Sequence, residues 1–146
     1  MASICLEAER AEEVTIDADF TNKRFGRIDQ SIAMSALVTA YHLGCKAILA
    51  LTESGSTALW MSRYRSHTPI FGLTSQAVTQ RRMALYRNVR PLLMPNFGDR
   101  DQALAAAEKI LVDRGVLKPG DTYAITCGEP MGYPGGTNML KVCRVG

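Results

Sequence analysis

The chain has 146 residues, of which 47% are hydrophobic and 21% charged, and this balance is typical of a globular domain rather than a disordered chain. Its formal net charge of +3 is too small for a nucleic-acid-binding protein, and no apolar run reaches the roughly 18 residues that a membrane span needs. The composition therefore predicts one domain, residues 1–146, with neither nucleic acid nor membrane as a partner.

The N-terminal region differs in charge from the rest of the chain. Residues 1–30 contain seven acidic and four basic residues, so the remainder is net positive and suits a small anionic ligand. Acids stand where a secretory signal would carry its positive region, and we therefore expect a cytoplasmic protein. The four cysteines are widely spaced and form no C-x-x-C pair, which predicts reduced thiols and no metal site. They are Cys5, Cys45, Cys127 and Cys143.

In chain order, the predicted elements begin with two helices. Apolar residues at helical spacing predict an amphipathic helix over 2–13. It has no clear capping residue, as expected if the chain is a piece of a longer protein. A second apolar stripe predicts a helix over 28–43, which Gly44 would end.

Strands and helices then alternate. Strands are predicted over 46–51, 69–74, 89–94, 122–127 and 138–145, and helices over 55–66, 76–86 and 101–114. This alternation favours right-handed crossovers and a mainly parallel sheet covered on both faces. The last two strands have no helix between them, so the final strand should be an antiparallel edge. The predicted fold class is α/β: three layers, α/β/α, around a mixed, mostly parallel five-stranded sheet.

A hydroxyl-rich turn, Thr52-Glu-Ser-Gly-Ser-Thr57, follows the first predicted strand and precedes a helix. The first turn of a helix leaves backbone N–H groups unpaired, and four hydroxyls here could add donors. In open α/β sheets, ligands bind at this end of the strands. Two interpretations stay open, a phosphate site or an ordinary hydroxyl cap. The run matches neither the P-loop nor the dinucleotide-binding fingerprint.

Several different motifs occur one after another along the chain, and their order is that of a known protein family. They are Ile32-Ala-Met-Ser-Ala36, Leu51-Thr-Glu-Ser-Gly-Ser-Thr-Ala-Leu59, Ser62-Arg63 before Pro69-Ile70, Leu85-Tyr86-Arg87-Asn88-Val89, Gly115 through Lys118-Pro-Gly-Asp121, and Gly135-Gly-Thr-Asn138. Together they cover essentially the whole chain, which resembles the C-terminal domain of pyruvate kinases.

That resemblance implies a regulatory domain without catalytic residues, cut from a longer chain whose catalytic barrel and B domain are absent here. It implies self-association in a homotetramer. No cofactor is expected in this domain, whereas Mg²⁺, K⁺ and ADP or ATP would belong to the missing catalytic domain. The resemblance also implies that the turn binds the phosphate group of an allosteric sugar phosphate. The turn consists of Thr52, Glu53, Ser54, Gly55, Ser56 and Thr57.

A long segment rich in glycine joins the last two predicted strands. From its length and composition it is either a flexible connection or a functional loop, and the resemblance implies that it folds over the effector. Tyr133 could then lie against a sugar face. The segment consists of Gly128, Glu129, Pro130, Met131, Gly132, Tyr133, Pro134, Gly135 and Gly136.

Two departures from the family narrow the expected ligand. Members that respond to a sugar bisphosphate bind its second phosphate with basic residues, one on the long helix and one in this loop. Here the alignment places Ala103 at the helix position, and the loop contains no Lys or Arg. We therefore expect a monophosphate (a hexose 6-phosphate, a pentose 5-phosphate or AMP) rather than fructose 1,6-bisphosphate.

Two other functions stay open from the sequence. One is a free-standing small α/β enzyme acting on a phosphorylated metabolite, with Glu53 or Glu129 as the acid–base group. The other is a purely structural oligomerisation domain whose turn binds nothing.

Overall fold

The computed structural model describes residues 24–146, and the helix predicted over 2–13 lies outside them. The other predicted elements are all present. Four helices and five strands alternate in the described part: α1 (Ile28–Leu43), β1 (Ile48–Leu51), α2 (Ser56–Ser62), β2 (Ile70–Thr74), α3 (Ala77–Met83), β3 (Val89–Leu93), α4 (Arg100–Asp113), β4 (Thr122–Gly128) and β5 (Thr137–Arg144).

Two helices are shorter than predicted. α2 ends at Ser62 rather than at residue 66, and α3 ends at Met83 rather than at residue 86. In both, the backbone tightens after the last turn: the N–H of Tyr64 donates to the carbonyl of Met61 at 3.2 Å, and that of Tyr86 to the carbonyl of Met83 at 3.0 Å. Such bonds to the third preceding residue close a helix instead of extending it.

The sheet has the strand order β3-β2-β1-β4-β5. The pairs among the first four strands are parallel, and β5 runs antiparallel to β4 at one edge. Helices α1, α2 and α3 pack on one face, and α4 packs on the other. The predicted three-layer α/β/α fold with an antiparallel last strand is confirmed.

The hydrophobic core lies on both faces of the sheet. β1 is buried at every position, and its side chains alternate between the faces as a strand requires. Ile48 and Ala50 join the cluster formed with α1, α2 and α3, while Leu49 and Leu51 join the cluster formed with α4. β1 is therefore the central strand, and the residues that follow it are held from both sides.

The topology places two segments at the same end of the sheet. β1 pairs with β2 on one side and β4 on the other, so the winding of the chain reverses between β1 and β4. In open α/β sheets, the crevice outside the carboxyl ends of the strands at such a point is the usual ligand site. The Thr52–Thr57 turn follows β1 and the 128–136 loop follows β4.

The described residues show two further features. None of their helices is long and apolar enough to cross a membrane. Their three cysteines are free thiols, with Cys45 and Cys127 buried and Cys143 half-buried.

Candidate functional site

The Thr52–Thr57 turn is held in place by its own residues and by α3. Gly55 has φ = +82°, in the left-handed region that favours glycine, and its N–H donates to Oγ1 of Thr52 at 2.9 Å. A Cβ at this position would lie 3.3 Å from both Cγ of Met83 and Cγ2 of Thr79. Position 55 therefore requires glycine for its conformation and for its packing.

Most of the hydroxyls expected to face a ligand are engaged within the protein. Thr57 is fully buried, and its Oγ1 is bonded to Oγ1 of Thr137 at 2.8 Å. Oγ of Ser54 donates to Oγ of Ser56 at 3.1 Å, and Oγ of Ser56 donates to Oδ2 of Asp29 at 2.9 Å. Ser54, Ser56 and Thr57 thus stabilise the turn, and three of the four expected hydroxyl donors already have acceptors.

Backbone N–H groups of the turn remain available instead. Those of Glu53, Ser54 and Thr57 make no hydrogen bond with residues 24–146. α2 has only seven residues, so its dipole adds little. Successive unpaired N–H groups in a turn form a concave donor surface that suits an anion.

The side chain of Glu53 is anchored toward β2. Its Oε2 accepts a hydrogen bond from Oγ of Ser75 at 2.8 Å, and its backbone carbonyl accepts one from Oγ1 of Thr79 at 2.8 Å. These contacts hold the carboxylate at the wall of the crevice, where it can accept hydrogen bonds from ligand hydroxyls.

The 128–136 loop is folded on itself. Asn138 and Glu129 exchange two hydrogen bonds of 2.9 Å, one to the amide side chain and one from it. The N–H of Gly136 donates to the carbonyl of Tyr133 at 3.0 Å. A Cβ at Gly128 would lie 2.6 Å from the carbonyl oxygen of Gly136, so the two ends of the loop touch. These contacts favour a loop with a defined structure over a flexible connection.

The turn and the loop line one crevice, together with the carboxyl ends of β2 and β3. Of the predicted site residues, those that line it are Thr52, Glu53, Gly128, Met131, Gly132, Tyr133, Gly135 and Gly136. The predicted residues that do not are Ser54, Gly55, Ser56, Thr57, Glu129, Pro130 and Pro134. Polar and aromatic lining residues that the sequence reasoning missed are Thr74, Ser75, Asn96, Phe97 and Thr137. Ser75 and Asn96 follow strands β2 and β3, so the strand-end rule could have found them.

The structure places Ala103 in the core. This residue is fully buried in α4 against the sheet, so its small apolar side chain is explained by packing. One turn earlier in α4, Nη1 of Arg100 lies 3.3 Å from Oε2 of Glu129. A cation of the long helix therefore does reach the loop. The lining of the crevice itself still contains no Lys or Arg among the described residues.

The sequence reasoning also missed two charged residues beside the turn. Asp29, in the first turn of α1, is buried next to Ser56. Arg27 holds its carboxylate through Nε at 3.0 Å and Nη2 at 2.8 Å. No local pattern distinguishes this pair from exposed surface charges, because only the packing of α1 against α2 brings it to the turn.

The described residues around the crevice offer binding groups rather than an activated nucleophile. Burial raises the pKa of the Cys127 thiol at the end of β4, so this thiol is neutral and poorly reactive. Residues 24–146 contain no group of three or more His, Cys, Asp or Glu that could hold a metal ion.

Comparison with known proteins identifies this architecture. Residues 30–143 match the family described as pyruvate kinase, alpha/beta domain. The chain belongs to this family. The pyruvate kinase alpha/beta domain seen here is 38% identical over 149 residues to the pyruvate kinase of Buchnera aphidicola, a match that covers 99% of this chain and 30% of that protein. It is 37% identical to pyruvate kinase II of Salmonella typhimurium, with coverages of 99% and 30%. It is 36% identical to the pyruvate kinase of Haemophilus influenzae, with coverages of 99% and 29%.

The chain spans about 30% of the length of these curated relatives and corresponds to their C-terminal part. It is therefore an alpha/beta domain of the pyruvate kinase family. The turn and the loop lie inside the region matched by the family, whereas Arg27 and Asp29 precede it.

Proposed function

We propose that this chain is the effector-binding and oligomerisation domain of a pyruvate kinase and that a phosphorylated metabolite binds between the turn and the loop. One observation carries the proposal: two segments far apart in sequence line a single crevice at the carboxyl ends of the parallel strands. A crevice at this point of the sheet is where α/β proteins bind ligands.

The chemistry of the crevice suits a sugar phosphate. Unpaired N–H groups of Glu53 and Ser54 can donate to phosphate oxygens. The Glu53 carboxylate and the amide of Asn96, both in the lining, can bind sugar hydroxyls. The ring of Tyr133 is exposed at the loop and offers an apolar face to a sugar or base.

The charge of the lining favours a ligand with one phosphate. No Lys or Arg is among the described lining residues, and a second phosphate would lie there without a cation to balance it. We propose a hexose 6-phosphate, a pentose 5-phosphate or AMP in preference to fructose 1,6-bisphosphate. Arg100, paired with Glu129 at 3.3 Å and with Asp101 at 3.4 Å, is not among the lining residues.

In the proposed parent enzyme, a cytoplasmic homotetramer, phosphoenolpyruvate and ADP give pyruvate and ATP on a separate catalytic domain. Mg²⁺, K⁺ and the nucleotide would bind to that catalytic domain. Effector binding would bias the arrangement of domains and subunits. By linkage, phosphoenolpyruvate would tighten effector binding by the same factor. Sedimentation velocity of the 146-residue chain tests its self-association.

The free-standing enzyme receives less support from the geometry. The carboxylate of Glu129 is paired with Arg100 at 3.3 Å, and that of Glu53 is bonded to Ser75 at 2.8 Å. Neither faces a second acid–base group across the crevice among the described lining residues. Turnover of a sugar phosphate by the isolated chain would nevertheless establish that function and contradict ours.

Titration calorimetry with ribose 5-phosphate, glucose 6-phosphate, AMP and fructose 1,6-bisphosphate tests the proposal. We expect at least one monophosphate to bind more tightly than the bisphosphate. Tighter binding of the bisphosphate would contradict the monophosphate preference. Binding of none of the four would support the purely structural alternative.

A matched pair of variants locates the ligand. Ser54→Asp places a carboxylate beside the unpaired N–H groups of the turn and should abolish binding by repulsion of the phosphate. Ser35→Asp adds the same charge at an exposed position of α1 and should leave binding unchanged. Thr57 is unsuitable for this test because it is fully buried and bonded to Thr137.

A further inference from the structure

An ion pair between the exposed Arg27 and the buried Asp29 joins the start of α1 to the Thr52–Thr57 turn. The side chain of Asp29 is only 1% exposed. Its carboxylate accepts from Nε and Nη2 of Arg27 at 3.0 and 2.8 Å, from the N–H of Gln30 at 2.9 Å and from the hydroxyl of Ser56 at 2.9 Å. Burying a carboxylate is costly unless donors surround it in this way.

One oxygen of this carboxylate connects the guanidinium to the turn. Oδ2 of Asp29 accepts from both Nη2 of Arg27 and Oγ of Ser56, so Arg27 lies within two hydrogen-bond lengths of the turn. Because the proton of Ser56 is engaged, the 3.1 Å contact with Ser54 uses the Ser54 proton. The hydroxyl groups of Ser54 and Ser56 thus form a series of hydrogen bonds that ends at the carboxylate of Asp29.

Arg27 also touches the 128–136 loop. A Cβ at Gly135 would lie 2.8 Å from Nη2 of Arg27, which places the guanidinium against the loop backbone. Gly135 has φ = +68°, a conformation that favours glycine. The Arg27 side chain is 53% exposed, and its Nη1 makes no hydrogen bond with residues 24–146. The guanidinium therefore adjoins both segments of the crevice and still has donors facing solvent.

We propose that Arg27 is a specificity-determining residue of this site, binding the phosphate of the ligand, and that Asp29 opposes this binding by neutralising Arg27. The inference rests on the proposed function. The described lining residues include no Lys or Arg. Arg27 contacts the loop, and the carboxylate of Asp29 connects it to Ser56 of the turn. An arriving phosphate competes with Asp29 for the guanidinium and gains charge-assisted hydrogen bonds.

A purely structural ion pair predicts a different pattern of effects. If the pair only held α1 against α2, removing either charge would lower stability and weaken ligand binding together. In our proposal the two charges act on the phosphate with opposite signs, since Arg27 attracts it and Asp29 repels it. The sign of each effect on affinity therefore separates the two roles.

The experiment is calorimetric titration of the 146-residue chain with whichever of ribose 5-phosphate, glucose 6-phosphate or AMP binds it most tightly. We expect R27Q to weaken binding about tenfold, the loss expected for one charge-assisted hydrogen bond. R27K keeps the charge and should retain most of the affinity. D29N keeps the size of the side chain but removes the competing charge, and it should bind more tightly than the parent chain.

A double variant keeps the test decisive if R27Q alone unfolds the chain by leaving Asp29 unpaired. R27Q/D29N removes both charges and should bind more weakly than D29N and more tightly than R27Q. Inorganic phosphate, titrated as a competitor, should follow the same order, which attributes the effect to the phosphate. An R27Q affinity equal to that of the parent, or a D29N affinity below it, would overturn the proposal.

The proposed function and the role of Arg27 fail in distinguishable ways. If no phosphorylated metabolite binds the parent chain and inorganic phosphate does not bind either, both are contradicted. A second outcome is that the unsubstituted chain binds the ligand, Ser54→Asp abolishes this binding and R27Q leaves it unchanged. In that case the effector site is supported and only the role of Arg27 is wrong.

Discussion

The side chain of Met83 fills the space between β2 and the Thr52–Thr57 turn. It is fully buried. Its Sδ and Cε lie 2.5 and 2.9 Å from where a Cβ of Gly72 would stand, and its Cγ lies 3.3 Å from where a Cβ of Gly55 would stand. The same methionine therefore packs against Gly55 in the turn and against Gly72 in β2.

We expect Gly72→Ala to destabilise the domain. Gly72 lies in the buried strand β2, so the added methyl group would overlap the sulfur and terminal methyl group of Met83, which is itself fully buried. Overpacking of this kind lowers the free energy of unfolding by about 1–3 kcal/mol. Urea denaturation of the parent and the variant measures the difference.

The same collision supplies the control for this prediction. Met83→Val removes the sulfur and terminal methyl group that the alanine would meet. The double variant Gly72→Ala/Met83→Val should therefore lose less free energy of unfolding than the sum of the losses in the two single variants. Such coupling between touching residues amounts to about 0.5–3 kcal/mol. Purely additive effects, or a Gly72→Ala variant as stable as the parent, would show that the strand accommodates the methyl group without displacing Met83.

Individual site residues could be predicted from the sequence only where a local rule applies to them. The strand-turn-helix context predicted the positions of Thr52 and Glu53, which line the crevice, because a turn after a buried strand has a fixed place in an α/β sheet. Thr137 and Asp29 could not be identified, since their contacts with Thr57 and Ser56 join segments far apart in the chain. The burial of Ala103 could not be predicted, because an alignment does not show which side of a helix faces the core.

Among the elements, β4 and α4 are joined by a partly buried hydrogen bond. The phenol of Tyr123, which is 3% exposed, donates to Oε1 of Glu108 at 2.9 Å. Burial raises the pKa of this phenol well above its ordinary value, and the hydrogen bond to Glu108 raises it further. The folded chain therefore keeps this proton at pH values where an exposed tyrosine loses it.

This shift predicts a loss of stability at high pH. Below about pH 10, the ordinary pKa of tyrosine, both states hold the proton and Tyr123 contributes no pH dependence. Above it the unfolded chain releases the proton and the folded chain does not, so the free energy of unfolding falls by up to about 1.4 kcal/mol per pH unit from this residue. Urea denaturation between pH 9 and pH 11 should show a shallower fall for Tyr123→Phe than for the parent.

A comparison with Tyr41→Phe isolates the effect, because Tyr41 lies on α1 with its side chain about half exposed. Loss of the Glu108 bond should also make Tyr123→Phe less stable at neutral pH. Parallel pH profiles for Tyr123→Phe and the parent would mean that the folded chain does not retain the Tyr123 proton.

Most elements could be predicted because their signals are local. The continuous apolar run of β1 indicates a strand buried on both faces, and Gly44 with φ = +61° ends α1 as its position predicts. The early ends of α2 and α3 could not be predicted. Each is closed by a backbone hydrogen bond to the third preceding residue, and no sequence pattern shows where such a bond replaces a further helical turn.

For the whole molecule, the two cores leave one end of the sheet open to a ligand. The turn is fixed against the core formed by α1, α2 and α3, while the crevice wall beyond β3 is fixed against the core formed with α4. The bond between Thr57 and Thr137 links the turn directly to the start of β5. The crevice therefore exists only when both faces of the sheet are packed, and it is absent from the unfolded chain.

Ligand binding should for this reason stabilise the entire fold in a calculable way. A ligand that binds only the folded chain raises the free energy of unfolding by RT ln(1 + [L]/Kd), about 2.7 kcal/mol at one hundred times Kd. We expect urea denaturation in increasing ribose 5-phosphate to follow this curve with the calorimetric Kd, and Ser54→Asp to show no increase. A rise steeper than the curve would reveal a second site on the folded chain. Calorimetric binding without any rise would mean that the ligand binds the unfolded chain equally well, which a crevice assembled from both faces of the sheet does not allow.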